Sequence, residues 1–482
     1  MRRFVLPFVC LAALPAAAQE VYFAPFDDPQ AAALRVLDEC QSSLDVAQYN
    51  IRNPEYVEKL RELRARNVKI RVVVDKKNAD QPYNTLDDEI EAEGFELVRY
   101  LNTAKPLAIM HLKAVVIDRK TVMTGSFNWN ETAQMVNDEN MLVIRDERVA
   151  SGYAREIDEL FGAPEEKGPY TSADGKIEVW FSPEDNPRRA IIDQIRAAKS
   201  RIIVAMFTFA DGAVANELHK AAERGVEVVM VVEKKQADRF HADEIVARPV
   251  TKPGARQARV IVGGNISSSH SAMHQKFAVF DGKKVMTGAC NWTPTAFGGS
   301  NEDVILLDDP QLARRYTDEF AALVLRYAPE QFRGEEWGVD RSEATAHFVV
   351  HCEATQEGDE VYILGSHPRL GLADDNVTWN IDRGLKLTTS DRMWPAWVGN
   401  VRLPRGARVE WKAVVRSRDG TIKSWELEGP GNRVLEMEPG GTDGAWLVRF
   451  DTSGRIEAPR SDPGAPASSG GSSGGIIGNM ND

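Results

Sequence analysis

The sequence predicts an α/β protein of two mixed-sheet repeats, plus an all-β sandwich domain. The first observation behind this is an internal repeat. "VYFAP" at Val21 returns as "VWFSP" at Val179, "LDVAQYN" at Leu44 as "IIVAMFT" at Ile202, and "VKIRVVVDKKNAD" at Val68 as "VEVVMVVEKKQAD" at Val226. These pairs are offset by 158 positions, but "MHLKAVVIDRKTVMTGSFNWN" at Met110 returns at Met273 as "MHQKFAVFDGKKVMTGACNWT", offset by 163. The five extra residues are expected in the loop around "ARVIVGGNISSSH". The second observation is alternation of β-rich runs with helical periods within each copy. The third is a change of pattern after Arg333, where short alternating strands and turn signals replace helices.

In the first copy, "DDPQAAALRVLDECQSS" and "NPEYVEKLRELRARN" space apolar residues by three and four and are predicted as amphipathic helices. "NPRRAIIDQIRAAKS" and "DGAVANELHKAAERG" are their counterparts. Strand–helix–strand–helix–strand order predicts a largely buried mixed sheet. "KAVVIDRKTVMTG" and "KFAVFDGKKVMTG" are predicted as hairpins with short turns.

A chain of 482 residues is expected to hold about three domains. The expected boundaries are a signal peptide at 1–18, repeats at 19–165 and 170–333, a sandwich at 343–452 and a Pro/Gly/Ser tail at 455–482. The start, "MRRFVLPFVCLAALPAAAQE", has two arginines, a short apolar run and an Ala-x-Ala pattern, which predicts export to the periplasm or exterior. No other segment has the roughly 18 apolar residues of a membrane span. With Cys10 in the signal, Cys40, Cys290 and Cys352 give no disulfide framework and no metal spacing, and leave any single pairing open. The net charge is −13, or −15 without Arg2 and Arg3, which argues weakly against nucleic-acid binding.

Chemistry concentrates in the histidine stretches. Residues two apart on a strand share a face, so His111 points with Lys113 and His274 with Lys276, while Leu112 and Gln275 face away. An imidazole beside an ammonium needs an anion between them, and a phosphate serves: lysine supplies charge, histidine a nucleophile or a proton. Asp118 and Asp281 close the two strands. "GSFNW" (Ser126, Asn128) and "GACNW" (Ala289, Asn291) follow, then Glu139 and Glu302 in matching register. One such motif is weak; two with the same sequel have a common cause.

These residues resemble the phospholipase D superfamily, whose signature is His-x-Lys-x4-Asp followed by Gly-Ser-x-Asn. The resemblance covers about Val21 to Leu325, and the copies look most like the bacterial endonuclease and mitochondrial cardiolipin-hydrolase branch. It implies that the repeats form a bilobal pseudo-two-fold unit with one active site at their interface, a monomer through internal duplication, and no metal or other cofactor. It further implies that one of His111 and His274 attacks phosphorus while the other protonates the leaving alkoxide, with His111 favoured as nucleophile. Lys113, Lys276, Asn128, Asn291 and the Ser126 hydroxyl would hold phosphate oxygens. Glu139 and Glu302 would orient a histidine, and Asp118 and Asp281 brace the motif loops. Ala289 departs from the family's serine and removes one hydroxyl donor. His270, four residues before His274, is a candidate cleft residue; His219 and His241 are expected at the surface, and Lys76, Lys77, Lys234 and Lys235 at strand ends.

The stretch "VYILGSHPRLG" with "LPRGARVEWKAVV" and "SWELEGPGNRV" resembles the starch-binding domain, carbohydrate-binding module family 20. By this resemblance Trp379, Lys412 and Trp425 would form a main α-glucan site and Trp394 a second, with indoles stacking on sugar faces. Trp379 fills its place only if "ADDNVT" is an insertion, and Trp397 and Trp411 are expected in the core. The implied function is an exported phosphodiesterase acting on phospholipids, with a starch- or glycogen-binding module. A nuclease of the same superfamily, or a glucan-binding protein with a vestigial catalytic half, are the alternatives.

Overall fold

The computed structural model describes residues 19–25, 27–264, 272–328, 331, 343–352, 355–356, 358–373, 378–389, 396–404, 406–425, 432–436 and 444–450. The expected signal peptide, the tail, His270 and Trp394 lie outside the described residues.

The predicted helices form where sequence supplies both a cap and an apolar face. Asn53 accepts a hydrogen bond from the Glu55 amide and starts helix Pro54–Ala65, which buries Tyr56, Val57, Leu60 and Leu63. In the second repeat Asp211 accepts from the Ala213 and Val214 amides and starts Gly212–Glu223, burying Val214, Leu218 and Ala221.

The strands of the first repeat are β1 (Gln19–Ala24), β2 (Ser43–Gln48), β3 (Lys69–Asp75), β4 (Glu96–Tyr100), β5 (Lys113–Ile117), β6 (Thr121–Gly125) and β7 (Glu139–Arg145). They pair in the order β1-β7-β6-β5-β2-β3-β4. The second repeat has a short β8 (Tyr170–Thr171), then β9 (Ile177–Ser182), β10 (Arg201–Met206), β11 (Glu227–Glu233), β12 (Arg259–Gly263), β13 (Lys276–Phe280), β14 (Lys284–Thr287) and β15 (Glu302–Asp308). Their order is β12-β11-β10-β13-β14-β15-β9-β8, the same path with β8 added at the edge. Both sheets are mixed: β2 with β3 and β3 with β4 run parallel, whereas β5 runs antiparallel to β2 and β6.

The placement of the insertion is corrected. β4 and β12 already stand in the 163-residue register, so the extra residues precede β12. They lengthen the connection from 76–95 in the first repeat to 234–258 in the second. "FELVRY" and "ARVIVG" share too little identity to show this equivalence.

Helices Glu147–Leu160 and Pro310–Tyr327 pack on one face of each sheet and join both repeats in one core. Tyr316 packs edge-on against Phe23 of the first repeat and Phe277 of the second, at 5.1 and 4.9 Å between centroids. Such edge contacts add about 0.5–1.5 kcal/mol beyond area burial. The outer faces carry separate cores, so each sheet is covered on both sides.

The C-terminal strands form two sheets around a core of Phe348, Val361, Ile363, Trp397, Trp411 and Leu435. Phe348 meets Trp411 edge-on at 4.9 Å. Trp397 and Trp411 are therefore core residues, as expected. Cys40, Cys290 and Cys352 are buried, and no disulfide joins them. Among the described residues no helix is long and apolar enough to cross a membrane.

Candidate active site

Each histidine stands immediately before a central strand and is locked to the opposite repeat. The His111 amide donates to the Asn301 carbonyl at 2.9 Å, and the Asn301 amide donates to the Ile109 carbonyl at 3.0 Å. Symmetrically, the Asp138 amide donates to the Ala272 carbonyl at 2.9 Å. Within each repeat, an acid ending the third strand fixes the residue before the histidine. Asp75 accepts from the Met110 amide at 3.0 Å, and Glu233 from the Met273 amide at 2.8 Å.

This brings the two acids across the interface. Glu302 of the second repeat meets His111 Nδ1 at 2.7 Å, and Glu139 of the first meets His274 Nδ1 at 2.8 Å. All four side chains are buried. A carboxylate on Nδ1 fixes the ring and turns Nε2 toward the reaction. The lysines fold back: Lys113 Nζ donates to the His111 carbonyl at 2.8 Å and Lys276 Nζ to the His274 carbonyl at 2.9 Å. Tyr49 stands edge-on to His111 at 5.2 Å and Phe207 to His274 at 4.5 Å. Each ring also faces its lysine, at 5.2 and 5.0 Å.

The environment separates the two pairs. Burial, then the charges of Lys113, Lys276 and His274, hold the His111 imidazole well below its ordinary value, so it rests neutral. Burial pushes the Glu302 carboxyl well above the usual carboxylate range, against Lys113 and Lys276 and helped by Asp303. Burial also raises Glu139, but Lys276 and hydrogen bonds from Ser126 and Asn137 hold it at about 7.

Part of that difference traces to the serine-to-alanine departure, and part to Asn137 beside Glu139 and to the Asp303 charge beside Glu302. Ser126 Oγ accepts from the Asn140 amide at 2.9 Å and hydrogen-bonds the Glu139 carboxylate. Two neighbours thus engage this hydroxyl. In the second repeat the Ala289 amide instead donates to Asp303 Oδ1 at 2.9 Å. Asp303, which replaces Asn140, also accepts from Thr124 at 2.7 Å and Tyr153 at 2.6 Å. Asn140 is held by Gln275 at 2.8 Å and Thr287 at 3.0 Å, so Gln275 does point away from its own histidine's site.

Gly125 and Gly288 make the turns possible. Their φ values are +131° and +132°, and a Cβ would overlap the Asn140 and Asp303 carbonyl oxygens respectively.

Asn291 Oδ1 accepts from the Thr208 amide at 3.2 Å, and Asn128 is buried with its Oδ1 lacking a hydrogen-bond partner. Asp118 and Asp281 stand at the far ends of their strands, outside the cluster of reacting groups. Asp118 Oδ1 takes the Ser42 and Ser43 amides at 2.7 and 2.9 Å, and Asp281 Oδ1 takes the Ser200 and Arg201 amides at 2.7 and 3.0 Å. They tie the start of the neighbouring strand to the end of their own.

A cavity of about 540 Å³ opens onto His111, Glu302 and Asn291. Lys77 lines it, whereas Lys76 pairs with Asp80 at the surface. His241 is exposed, but His219 is half-buried in helix Gly212–Glu223 rather than a surface group. Among the described residues no cluster of three or more His, Cys, Asp or Glu could hold a metal ion. In the sandwich, Trp379 and Lys412 are half-buried, and Trp425 ends the strand Ile422–Trp425.

Tyr49, Phe207, Asp75 and Glu233 escaped the motif reading. All four lie inside the repeated segments, at the 158-residue offset, and that repetition is the signal that finds them.

Paired His-Lys motifs are thus crossed with buried acids at the interface of the two repeats. Residues 33–161 and 191–324, more than half of the chain, match the cardiolipin synthase, PLD-like domain family, and residues 344–444 match the starch binding domain family. The chain belongs to the phospholipase D-like family and carries a starch binding domain. It is 30% identical to mitochondrial cardiolipin hydrolase of Xenopus laevis over 149 residues, 31% of this chain and 66% of the relative. It is 30% identical to phospholipase D of Rickettsia conorii over 117 residues, 24% of this chain and 56% of the relative. The chain thus spans between about half and two thirds of the length of these curated relatives. The polyphosphate kinase structure from Porphyromonas gingivalis covers 62% of this chain and 46% of its own at 18% identity, with a TM-score of 0.49.

Proposed function

We propose that the protein hydrolyses phospholipid phosphodiester bonds through a phosphohistidine on His111. The observation that carries this reading is the crossed pair of His–Glu contacts, with one pair held neutral and the other titrating near neutrality. His111 Nε2 attacks phosphorus, the bond from phosphorus to the leaving oxygen breaks, and the His274–Glu139 pair gives that oxygen its proton. Water then attacks the phosphohistidine, the same pair takes the water proton, and the P–N bond breaks to release the phosphomonoester. Lys113 and Lys276, with Asn128 and Asn291, stabilise the charge on the non-bridging oxygens.

The apolar part of the cavity lining, including Pro106, Leu107, Ile109 and Phe240, favours a lipid over a nucleic acid, as does the net charge of −13. In the same reading the protein is exported and its starch binding domain holds an α-glucan. Hydrolysis of phosphatidylcholine, cardiolipin and plasmid DNA, each with EDTA present, is the test. We expect metal-independent release of headgroup from phospholipid. Cleavage of DNA alone would replace the reading with a nuclease, and inactivity on all three would leave a glucan-binding protein.

A further inference from the structure

Among the described residues, five large hydrophobic side chains of the α/β half are exposed: Tyr83, Leu101, Leu107, Phe240 and Val262. Three of them, Tyr83 at 47%, Leu107 at 70% and Phe240 at 37%, surround the mouth of the cavity that reaches His111. They come from both repeats and from separate segments, so no single local pattern put them there. A soluble protein seldom gathers exposed apolar groups at one place without a partner for them.

Leu107 is also held rigidly in that exposed position. Lys77 Nζ donates to the Pro106 and Ala108 carbonyls at 3.2 and 2.7 Å, on either side of it. Upstream, Asn102 Nδ2 donates to the Gly299 carbonyl and to Asn301 Oδ1, both at 2.8 Å; downstream, the Ile109 amide donates to Ser300 Oγ at 3.2 Å. The loop is pinned to the second repeat at both ends, so it presents the leucine outward with little ordering left to do.

Cations stand among the apolar groups. The Arg52 guanidinium lies 5.5 Å from the Tyr83 ring centroid and Arg239 lies 5.0 Å from that of Phe240. Both arginines line the same mouth as Lys77. Three cations at one opening stand out on a chain of net charge −13. Aromatic rings carrying arginines beside an exposed aliphatic tip match an anionic bilayer surface, where the rings and leucine enter the headgroup–acyl boundary and the guanidiniums meet lipid phosphates. A polyanion in water has no use for the leucine.

We propose that Tyr83, Leu107 and Phe240, with Arg52, Lys77 and Arg239, form a collar that seats the cavity mouth on an anionic phospholipid bilayer. A lipid headgroup then reaches His111 without the lipid leaving the membrane. This rests on the phospholipid reading above and adds how that substrate is met.

The test is flotation of the full chain carrying H274A, so that turnover does not consume the lipid, with vesicles of phosphatidylcholine with or without phosphatidylglycerol. We expect retention on both, stronger with phosphatidylglycerol. L107S/F240S should weaken it roughly tenfold or more, and R52S/R239S roughly fivefold, mainly on the anionic vesicles. L107W gives a readout that does not depend on comparing folds: its indole emission should move to shorter wavelength when vesicles are added. Equal retention of L107S/F240S, no retention of the parent, an unmoved L107W emission, or duplex DNA displacing the vesicles would each overturn the collar. Hydrolysis of a monomeric short-chain phosphatidylcholine by the wild-type chain separates the two ideas. Activity there without vesicle binding sinks the collar alone; vesicle binding without hydrolysis of any phospholipid sinks the functional reading alone.

Discussion

His111 in the first repeat is hydrogen-bonded through Nδ1 to Glu302 in the second, 2.7 Å away, and His274 returns the relationship with Glu139. Neither repeat therefore holds a complete His–acid pair. If the acids orient the rings, E302Q and E139Q should each lower kcat by roughly a hundredfold, with little change in KM. Steady-state kinetics on a soluble phosphodiester checks this, with circular dichroism as the control for folding.

The Glu139 carboxyl, raised to about 7, sets a pH dependence. The His274–Glu139 pair keeps its extra proton below that value and loses it above, so it can protonate a leaving alkoxide only on the acid side. We expect kcat to fall as pH rises through about 7. S126A removes a donor to the Glu139 carboxylate, and should move this limb upward by roughly one pH unit. The sign for folding is the same. A carboxyl raised above its unfolded value of 4.5 stabilises fully below 4.5, and that contribution is lost as pH rises through about 7.

Gly125 has φ +131° and no room for a Cβ against the Asn140 carbonyl. G125A should destabilise the chain by about 1–3 kcal/mol or more. Thermal unfolding of G125A against G94A gives the comparison, because Gly94 also has positive φ but nothing within 4 Å of the added carbon. A similar loss in both would make φ alone responsible.

Asp118 gathers backbone amides at a strand end, and those hydrogen bonds hold its carboxyl at about 2 against the opposing effect of burial. D118A should cost about 1–2 kcal/mol, comparable to removing a helix-capping carboxylate. The depressed value means this stabilisation is present above 3.8 and lost as pH falls toward 2. Acid unfolding followed by fluorescence would show the variant converging with wild type at low pH.

The sequence made the two His-Lys motifs legible because they occur twice in one register, and the paired helices because caps and apolar spacing agree. It could not show that the acids cross. Glu139 lies 28 residues after His111 and Glu302 the same distance after His274, so spacing points equally to pairing within a copy. Nor could it show that Ser126 meets Glu139, because a hydroxyl's direction depends on Asn140 and Glu139, which reach it only through sheet pairing. Tyr83, Leu107 and Phe240 have no pattern at all in the chain; only folding gathers them at one mouth.

The division of labour between the histidines is tested most directly by trapping the covalent intermediate. A quenched single turnover of H274A with a labelled p-nitrophenyl phosphodiester, whose leaving group needs no proton, should leave the phosphoryl label on His111, located by peptide mass spectrometry. Without the His274–Glu139 pair to activate water, that adduct should accumulate. A label on His274 in the H111A variant, with none on His111 in H274A, would contradict the assignment.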